Sequence, residues 1–361
     1  MKKYYTHKEE VAVIIPAFNE AKVIGTTLKA VLKIIKKKDL YVVNDGSRDK
    51  TATVARKFTH HVLTLPNQGK AHALNTAIEK FKLTKKYKYI FFVDADTSPD
   101  ENFLTYALLH FQNDRHKKIV CVVGRVEGIG VNWISKYRQW EYYISHFIHK
   151  RAQANLKSIL VVPGCATIYR SYIFDKVKIP YGTMTEDMDF TFLLHRMGYN
   201  NMIFEDKAVV YTQDPRNIKD FVKQITRWYT GFWQSVKKHE IPWHAQTLDL
   251  VVVLLAMEGI FNGLIVIFFL MSIIPIASLG KITIFKAPLY IDFFAFFLPT
   301  ILWSSVSDRD YSKIRYVLHF YFLRLLSSLI FLKCYFAGFL SNQKDFVWDS
   351  NRYSLTEGGS Q

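Results

Sequence analysis

Two kinds of apolar pattern divide the chain near residue 245. Before it, apolar runs are short and alternate with segments of helical spacing. Val11-Ala-Val-Ile-Ile15 reads as a buried strand, followed by a helix over Ala21 to Lys38. Leu40-Tyr-Val-Val43 is the second strand, Thr51 to Phe58 a second helix, and Val62-Leu63 the start of a short third strand. Lys70 to Lys80 is helical again, and Tyr89-Ile-Phe-Phe-Val93 is the next strand. Strands and helices in this order predict right-handed crossovers and a parallel, doubly wound sheet. Ligands of such sheets sit beyond the carboxyl ends of the strands. The chemistry is therefore expected there.

After residue 245 the apolar runs lengthen. Leu248 to Ile276 is almost unbroken, with Glu258 the only acid after Asp249. A second run covers Leu289 to Val306 and holds Asp292 near its start; a third covers Tyr316 to Leu340 and is broken by Arg324 and Lys333. A bilayer core takes about 20 apolar helical residues. The first two runs qualify, and the third qualifies if its charges pair or snorkel. Buried helices of a soluble protein are a poorer reading, because three such runs exceed ordinary helix lengths. Met1 to Glu10 is polar, without the apolar core of a signal peptide, so the first domain is expected to stay in the cytosol. Arg309, Lys313 and Arg315 place the loop Asp308 to Arg315 on the same side. Three simple spans would carry the tail outside, whereas Phe346-Val-Trp348 and Arg352 suit a cytosolic interface. The sequence leaves the side of the tail open.

Composition narrows the class. Among 361 residues, 50% are hydrophobic and 16% aromatic, which excludes a disordered or collagenous chain. Three cysteines are too few for a disulfide framework or a four-cysteine zinc site. Cys121 and Cys165 fit a reducing cytosol. The net charge of +17 suits a protein held against an anionic leaflet. The lysines scatter (Lys36–Lys38, Lys85–Lys86, Lys117–Lys118) instead of lining one element, so no nucleic acid is expected as partner.

Unusual residues follow the strands. Pro16-Ala-Phe-Asn-Glu20 comes after the first and Asn44-Asp-Gly-Ser-Arg-Asp49 after the second. Asn67-Gln-Gly-Lys-Ala-His-Ala-Leu-Asn75 comes later, and Asp94-Ala-Asp96 follows the Tyr89 strand. Alone, Asp-Gly is a common turn and Asp-x-Asp a common pattern. On one rim of one sheet they gather carboxylates and a lysine. Two close carboxylates suit a divalent cation, and the cation suits a diphosphate. Neither a Gly-x-Gly-x-x-Gly after the first strand nor a P-loop is present, which disfavours a classical dinucleotide site and a P-loop ATPase.

With these motifs the chain resembles the glycosyltransferase family 2 catalytic domain of GT-A fold. Downstream, Gly164-Cys-Ala-Thr-Ile-Tyr-Arg170 is similar to the acceptor-side strand of the family. Thr185-Glu-Asp187 resembles its Thr-Glu-Asp motif, and Gln224-Ile-Thr-Arg-Trp228 its Gln-x-x-Arg-Trp motif. The last marks the membrane synthases of cellulose, chitin, hyaluronan and poly-N-acetylglucosamine. The resemblance covers about residues 11 to 235. It implies a doubly wound mixed sheet of GT-A type, followed by a C-terminal helical transmembrane region. It implies donor-nucleotide contacts at Ala17, Glu20, Asp45, Lys70 and Asp94, and a Mg²⁺ or Mn²⁺ ligand at Asp96. Asp187 would be the general base. Gln224, Arg227 and Trp228 would cover the diphosphate and acceptor, with Gly164, Cys165 and Glu186 as candidates for the acceptor side.

The chemistry of these residue types is consistent with such roles. An inverting transfer needs one carboxylate to take the proton of the incoming hydroxyl. A nucleoside diphosphate leaves with growing negative charge, which a metal and a cation can offset. Arg227 offers a planar donor fork for phosphate. Gln224, Arg227 and Trp228, spaced i, i+3 and i+4, share a helix face, and the indole offers a flat wall to a sugar. Trp228, Tyr229, Phe232 and Trp233, followed by Lys237 and Lys238, read as one flank of an amphipathic helix in the headgroup layer.

The expected organisation is a cytosolic catalytic domain over 1–217, an interfacial helix over 218–245, about three membrane helices over 246–340 and a polar tail over 341–361. The expected protein is a multi-pass cell-membrane enzyme. It would move a sugar from a nucleotide sugar, such as UDP-GlcNAc or UDP-glucose, to a glycan or lipid-linked acceptor. Processive synthesis, single transfer to a lipid acceptor, and nucleotide binding without turnover by a transporter or channel regulator stay open. So does assembly as a homo-oligomer or with another membrane subunit.

Overall fold

The computed structural model describes residues 10–273 and 287–340. The start of the chain before Glu10, residues 274–276 of the first apolar run, and the tail with Phe346–Trp348 and Arg352 lie outside the described residues. Two compact units are present. Of the described residues, 10–128 and 149–213 form the first; 129–148, 214–273 and 287–340 form the second.

The first unit is built on an eight-stranded sheet: β1 (Val11–Ala17), β2 (Leu40–Asp45), β3 (His61–Leu65), β4 (Tyr89–Phe92), β5 (Thr97–Pro99), β6 (Cys121–Gly128), β7 (Thr167–Arg170) and β8 (Met202–Thr212). Their order across the sheet is β3-β2-β1-β4-β7-β6-β8-β5. The β3-β2-β1-β4 half is parallel, as the alternation of strands and helices predicts. Every residue of β1 and β2 is buried, the signature of strands covered on both faces. The other half departs from an all-parallel sheet. β7 runs antiparallel to β4 and β6, and β5 antiparallel to β8, while β6 and β8 are parallel. The sheet is therefore mixed, as the family resemblance implies. β5 has only three residues, too few to give a period-two signal in the sequence.

The core is apolar and aromatic. Phe92, Tyr169, Phe174 and Phe190 pack ring against ring on one side of the sheet. On the other side Phe91 stacks on Phe103 with centroids 4.4 Å apart. At Gly46, which follows β2 at φ +73°, an added Cβ would lie 2.7 Å from the amide nitrogen of Asn67. Only glycine allows both that turn and that approach.

In the second unit, three helices are long and apolar enough to cross a membrane: Thr247–Met271, Ala287–Ser307 and Val317–Gly338. These match the three apolar runs. The first and third approach closely at small residues. A Cβ on Gly259 would fall 2.4 Å from the Phe331 ring, and one on Gly263 would fall 2.9 Å from the Ser328 carbonyl oxygen. Small residues at such crossings let backbones pack in a setting where lipid gives no hydrophobic drive.

The helix Trp133–Ile144 starts at a capping box, with the Asn132 side chain accepting from Ile134 and Ser135 amides. Its rings meet the second span: Trp140 lies against Phe297 and Tyr143 against Trp303. The helix Ile218–Lys238 carries Phe232 and Trp233, both buried. Trp233 packs on Phe331 and Tyr335 of the third apolar helix. Gly338 makes room for it, since a Cβ there would lie 2.5 Å from Trp233 Cβ.

Candidate active site

The residues expected to carry chemistry in the first unit gather around strand ends. Ala17 closes β1 and is buried. Glu20 is buried in the loop that follows, and its amide donates to Thr51 Oγ1 at 2.8 Å. Asp45 closes β2. Its two carboxylate oxygens accept the amides of Gln68 at 3.0 Å and Gly69 at 2.9 Å. Asp45 thereby ties the Asn67–Gly69 loop to the sheet and aims the helix Lys70–Lys80 that starts there.

Lys70, the first residue of that helix, is where distant segments meet. Its Nζ lies 2.6 Å from Asp94 Oδ1, just past β4, and 3.1 Å from Glu186 Oε1. Desolvation disfavours its charge, but Asp94, Glu186 and Asp187 outweigh it and hold Lys70 well above the ordinary lysine range. Asp96 follows Asp94 by two residues and stays half-buried; the Thr97 hydroxyl donates to its Oδ1 at 3.4 Å.

Glu186 and Asp187 open the helix Glu186–Arg196, where the partial positive charge of a helix start favours carboxylates. Thr185 makes no side-chain cap at this helix start. Asp187 accepts the Met188 amide at 2.8 Å through Oδ1 and the Gly164 amide at 3.4 Å through Oδ2. Asp189 is fully buried and accepts the Thr183 hydroxyl at 3.0 Å, a structural arrangement. Gly164 stands against Lys70, where an added Cβ would lie 3.0 Å from the ammonium. Burial, with Asp94 adding to it, raises the neighbouring Cys165 thiol and keeps it protonated.

One further residue escaped the sequence reading. Lys150 ends the π-helical turn Ser145–Lys150 and is buried, donating to the Val161 carbonyl at 3.1 Å. Burial pulls it down to about 8, against the opposing influence of Cys165 and Asp187. Its only signal in the sequence is a lysine in a mixed segment, which looks like any surface lysine.

Gln224, Arg227 and Trp228 lie in the second unit on the helix Ile218–Lys238, each half-buried. Trp228 is covered by Arg138, whose Cζ stands 4.5 Å from the ring centroid.

Among the described residues no group of three His, Cys, Asp or Glu side chains converges as a metal cage. Asp94 and Asp96 supply hard oxygen donors from one strand end. That set suits a cation which keeps waters and shares its shell with a diphosphate, the usual habit of Mg²⁺.

The mixed sheet with carboxylates and a lysine at its strand ends has the GT-A glycosyltransferase fold, as its likeness to a solved glycosyltransferase and its family match show. Residues 12–178 match the profile described as Glycosyl transferase family 2. That match, together with glycosyltransferase relatives, supports a glycosyltransferase. It is 25% identical over 319 residues to the poly-beta-1,6-N-acetyl-D-glucosamine synthase of Staphylococcus epidermidis, covering 84% of this chain and 74% of that protein. It is 28% identical over 251 residues to the probable glycosyltransferase YdaM of Bacillus subtilis (strain 168), covering 62% of this chain and 55% of YdaM. The chain therefore spans less than two thirds of the second relative. Among solved structures, it is similar to the mannosyltransferase PcManGT from Pyrobaculum calidifontis in complex with GDP-Man and Mn²⁺. The TM-score is 0.60 with 17% identity over 92% of this chain and 87% of that one, a likeness of fold.

Proposed function

We propose that the protein is a membrane-embedded, inverting glycosyltransferase that transfers N-acetylglucosamine from UDP-GlcNAc to a growing glycan on the cytosolic side. The observation that carries this reading is the Lys70 ammonium held between Asp94 and Glu186, with Asp187 beside them on the Gly164 amide. The choice of N-acetylglucosamine follows the similarity to the staphylococcal poly-beta-1,6-N-acetyl-D-glucosamine synthase. Membrane embedding rests on the three apolar helices.

In this reading the acceptor hydroxyl oxygen attacks C1 of the donor sugar. Asp187 takes the hydroxyl proton, the new C1–O bond forms on the face opposite the nucleotide, and the old C1–O bond breaks to release UDP. Lys70 offsets charge as the diphosphate departs. Ala17, Glu20 and Asp45 border the nucleotide. Gly164 and Cys165 border the acceptor, with Gln224, Arg227 and Trp228 assigned to the diphosphate and acceptor. Asp94 and Asp96 would hold a Mg²⁺ or Mn²⁺ ion, whose chemistry is to neutralise the leaving diphosphate.

The test is Asp187→Asn in the full chain, purified in detergent. UDP binding by calorimetry should be nearly intact, and UDP release from UDP-GlcNAc should fall at least about 10²-fold, the scale of general-base catalysis. Retention of more than about a tenth of turnover would remove Asp187 as base. A wild-type chain that binds nucleotide without releasing UDP from any sugar donor would fit the regulator alternative instead. Product length in the same assay separates polymer extension from single transfer.

A further inference from the structure

Trp228 is given a sugar-facing role above, yet one face of its indole is already taken. The Arg138 guanidinium covers it at 4.5 Å and also lies 4.8 Å from the Tyr142 centroid. Arg138 comes from a different segment of the second unit, the helix Trp133–Ile144, and is 3% exposed. It pairs with Glu141, and its Nε stands 3.9 Å from Asp214 Oδ1, itself buried. Tyr137, one residue earlier, wedges against Phe221 of the Trp228 helix and Phe320 of the third span helix. The arginine is thus clamped by two acids on a braced helix, with its plane resting on aromatic rings.

This is a costly way merely to fill space. Buried ion clusters are often matched or exceeded in stability by apolar residues of the same volume. A planar cation does what an apolar side chain does less well: it fixes the position of an aromatic face, because the ring quadrupole attracts it. Burial alone would weaken its charge, but Glu141, Tyr142 and Asp214 hold it above the ordinary arginine range.

We propose that Arg138 is a positioning residue: it locks the indole of Trp228 so that the remaining face and edge meet the acceptor sugar. The proposal rests on the acceptor-side role of Trp228 in the function proposed above. Arg138 itself touches no reacting atom.

The experiment uses the full chain in detergent, labelled with 5-fluorotryptophan, the Trp228 resonance being the one lost in Trp228→Phe. Arg138→Lys should shift that resonance. It should raise KM for an N-acetylglucosamine oligosaccharide acceptor about tenfold, the scale of a desolvated cation–π contact. UDP affinity should stay within about twofold, since the change acts on the Trp228 ring face assigned here to the acceptor and leaves the donor-nucleotide residues Ala17, Glu20, Asp45, Lys70 and Asp94 unaltered. In a Trp228→Phe background the same change should add less than about twofold, because the ring it positions is altered. An unmoved resonance, a matching loss of UDP affinity, or penalties that simply multiply would overturn the proposal. Arg138→Met is the harsher variant; if it fails to fold, Arg138→Lys decides. A wild-type chain without turnover on any donor would instead sink the proposed function and this role with it, and that result appears before any substitution is made.

Discussion

Lys70 Nζ stands 2.6 Å from Asp94 Oδ1. With Glu186 on its other side, the same ammonium joins the rim of the parallel half-sheet to the acidic helix start. Gly164 leaves the space for it. Gly164→Val should therefore push the ammonium off its partners. A charge-assisted hydrogen bond contributes about 1.5–3 kcal/mol, so UDP affinity should drop about tenfold or more. Calorimetry on the full chain checks this. Unchanged affinity would mean that Lys70 does not serve the nucleotide.

Metal removal is the second case. Asp94 and Asp96 are too few to hold a hard cation alone, so binding of cation and diphosphate should be mutually dependent. UDP should bind at least about tenfold more weakly in EDTA than in Mn²⁺. Asp96→Ala should reproduce the weakness and abolish the response to EDTA. Equal UDP affinity with and without the cation would remove the metal from the mechanism.

Lys150 gives a pH prediction. Its amine falls from 10.5 to about 8 on folding. Below about pH 8 it is charged in both folded and unfolded chains, so the full burial cost is present. Between about 8 and 10.5 the unfolded chain holds the proton more tightly, and the cost fades as pH rises. That shift corresponds to roughly 3 kcal/mol, less about 1 kcal/mol for orphaning the Val161 carbonyl in Lys150→Met. Lys150→Met should accordingly melt higher than wild type at pH 7, and the gain should shrink or vanish by pH 10. A gain that does not depend on pH would show that burial of the charge is not the cause.

Much of this architecture is legible in the sequence because burial on both faces forces continuous apolar strands. Val11–Ile15 and Leu40–Val43 read directly as the bodies of β1 and β2, and so does the Asp94-x-Asp96 turn after β4. The three spans read for the same reason, being long and apolar. The segment 129–148 does not. Trp133, Tyr137, Trp140 and Tyr143 recur at helical spacing, but polar residues between them give no hint that they pack among span helices. The Trp228–Trp233 flank shows the same limit. An amphipathic face announces that it will be covered, and only the fold tells whether lipid, a sugar or another helix covers it. Arg138 over Trp228 and the buried Lys150 depend on contacts between segments distant in sequence, for which local pattern carries no signal.

The last prediction concerns the charges inside the apolar helices. Arg324, in the third span, reaches Asp292 of the second with Nη2 to Oδ1 at 2.7 Å and Nε to Oδ2 at 3.3 Å, and Tyr321 donates to the Leu289 carbonyl beside them at 3.1 Å. A lone charge among apolar helices is costly, so each is tolerated because of the other. Arg324→Leu leaves the Asp292 carboxylate without its cation; breaking a fully buried pair typically costs about 3–5 kcal/mol, which is the upper bound for this half-buried one. Asp292→Leu strands the guanidinium and should cost a similar amount, less whatever a long side chain regains by snorkelling. Replacing both by Leu removes the desolvation cost together with the attraction and should be nearly neutral. Thermal unfolding of the three variants in detergent, with wild type beside them, reads the pattern: two poor singles and a double close to wild type. Additive losses in the double would show that the two residues contribute independently and do not pair. If UDP release also survives in the double variant, the pair is a joint between span helices; if only release is lost, its charges serve turnover as well.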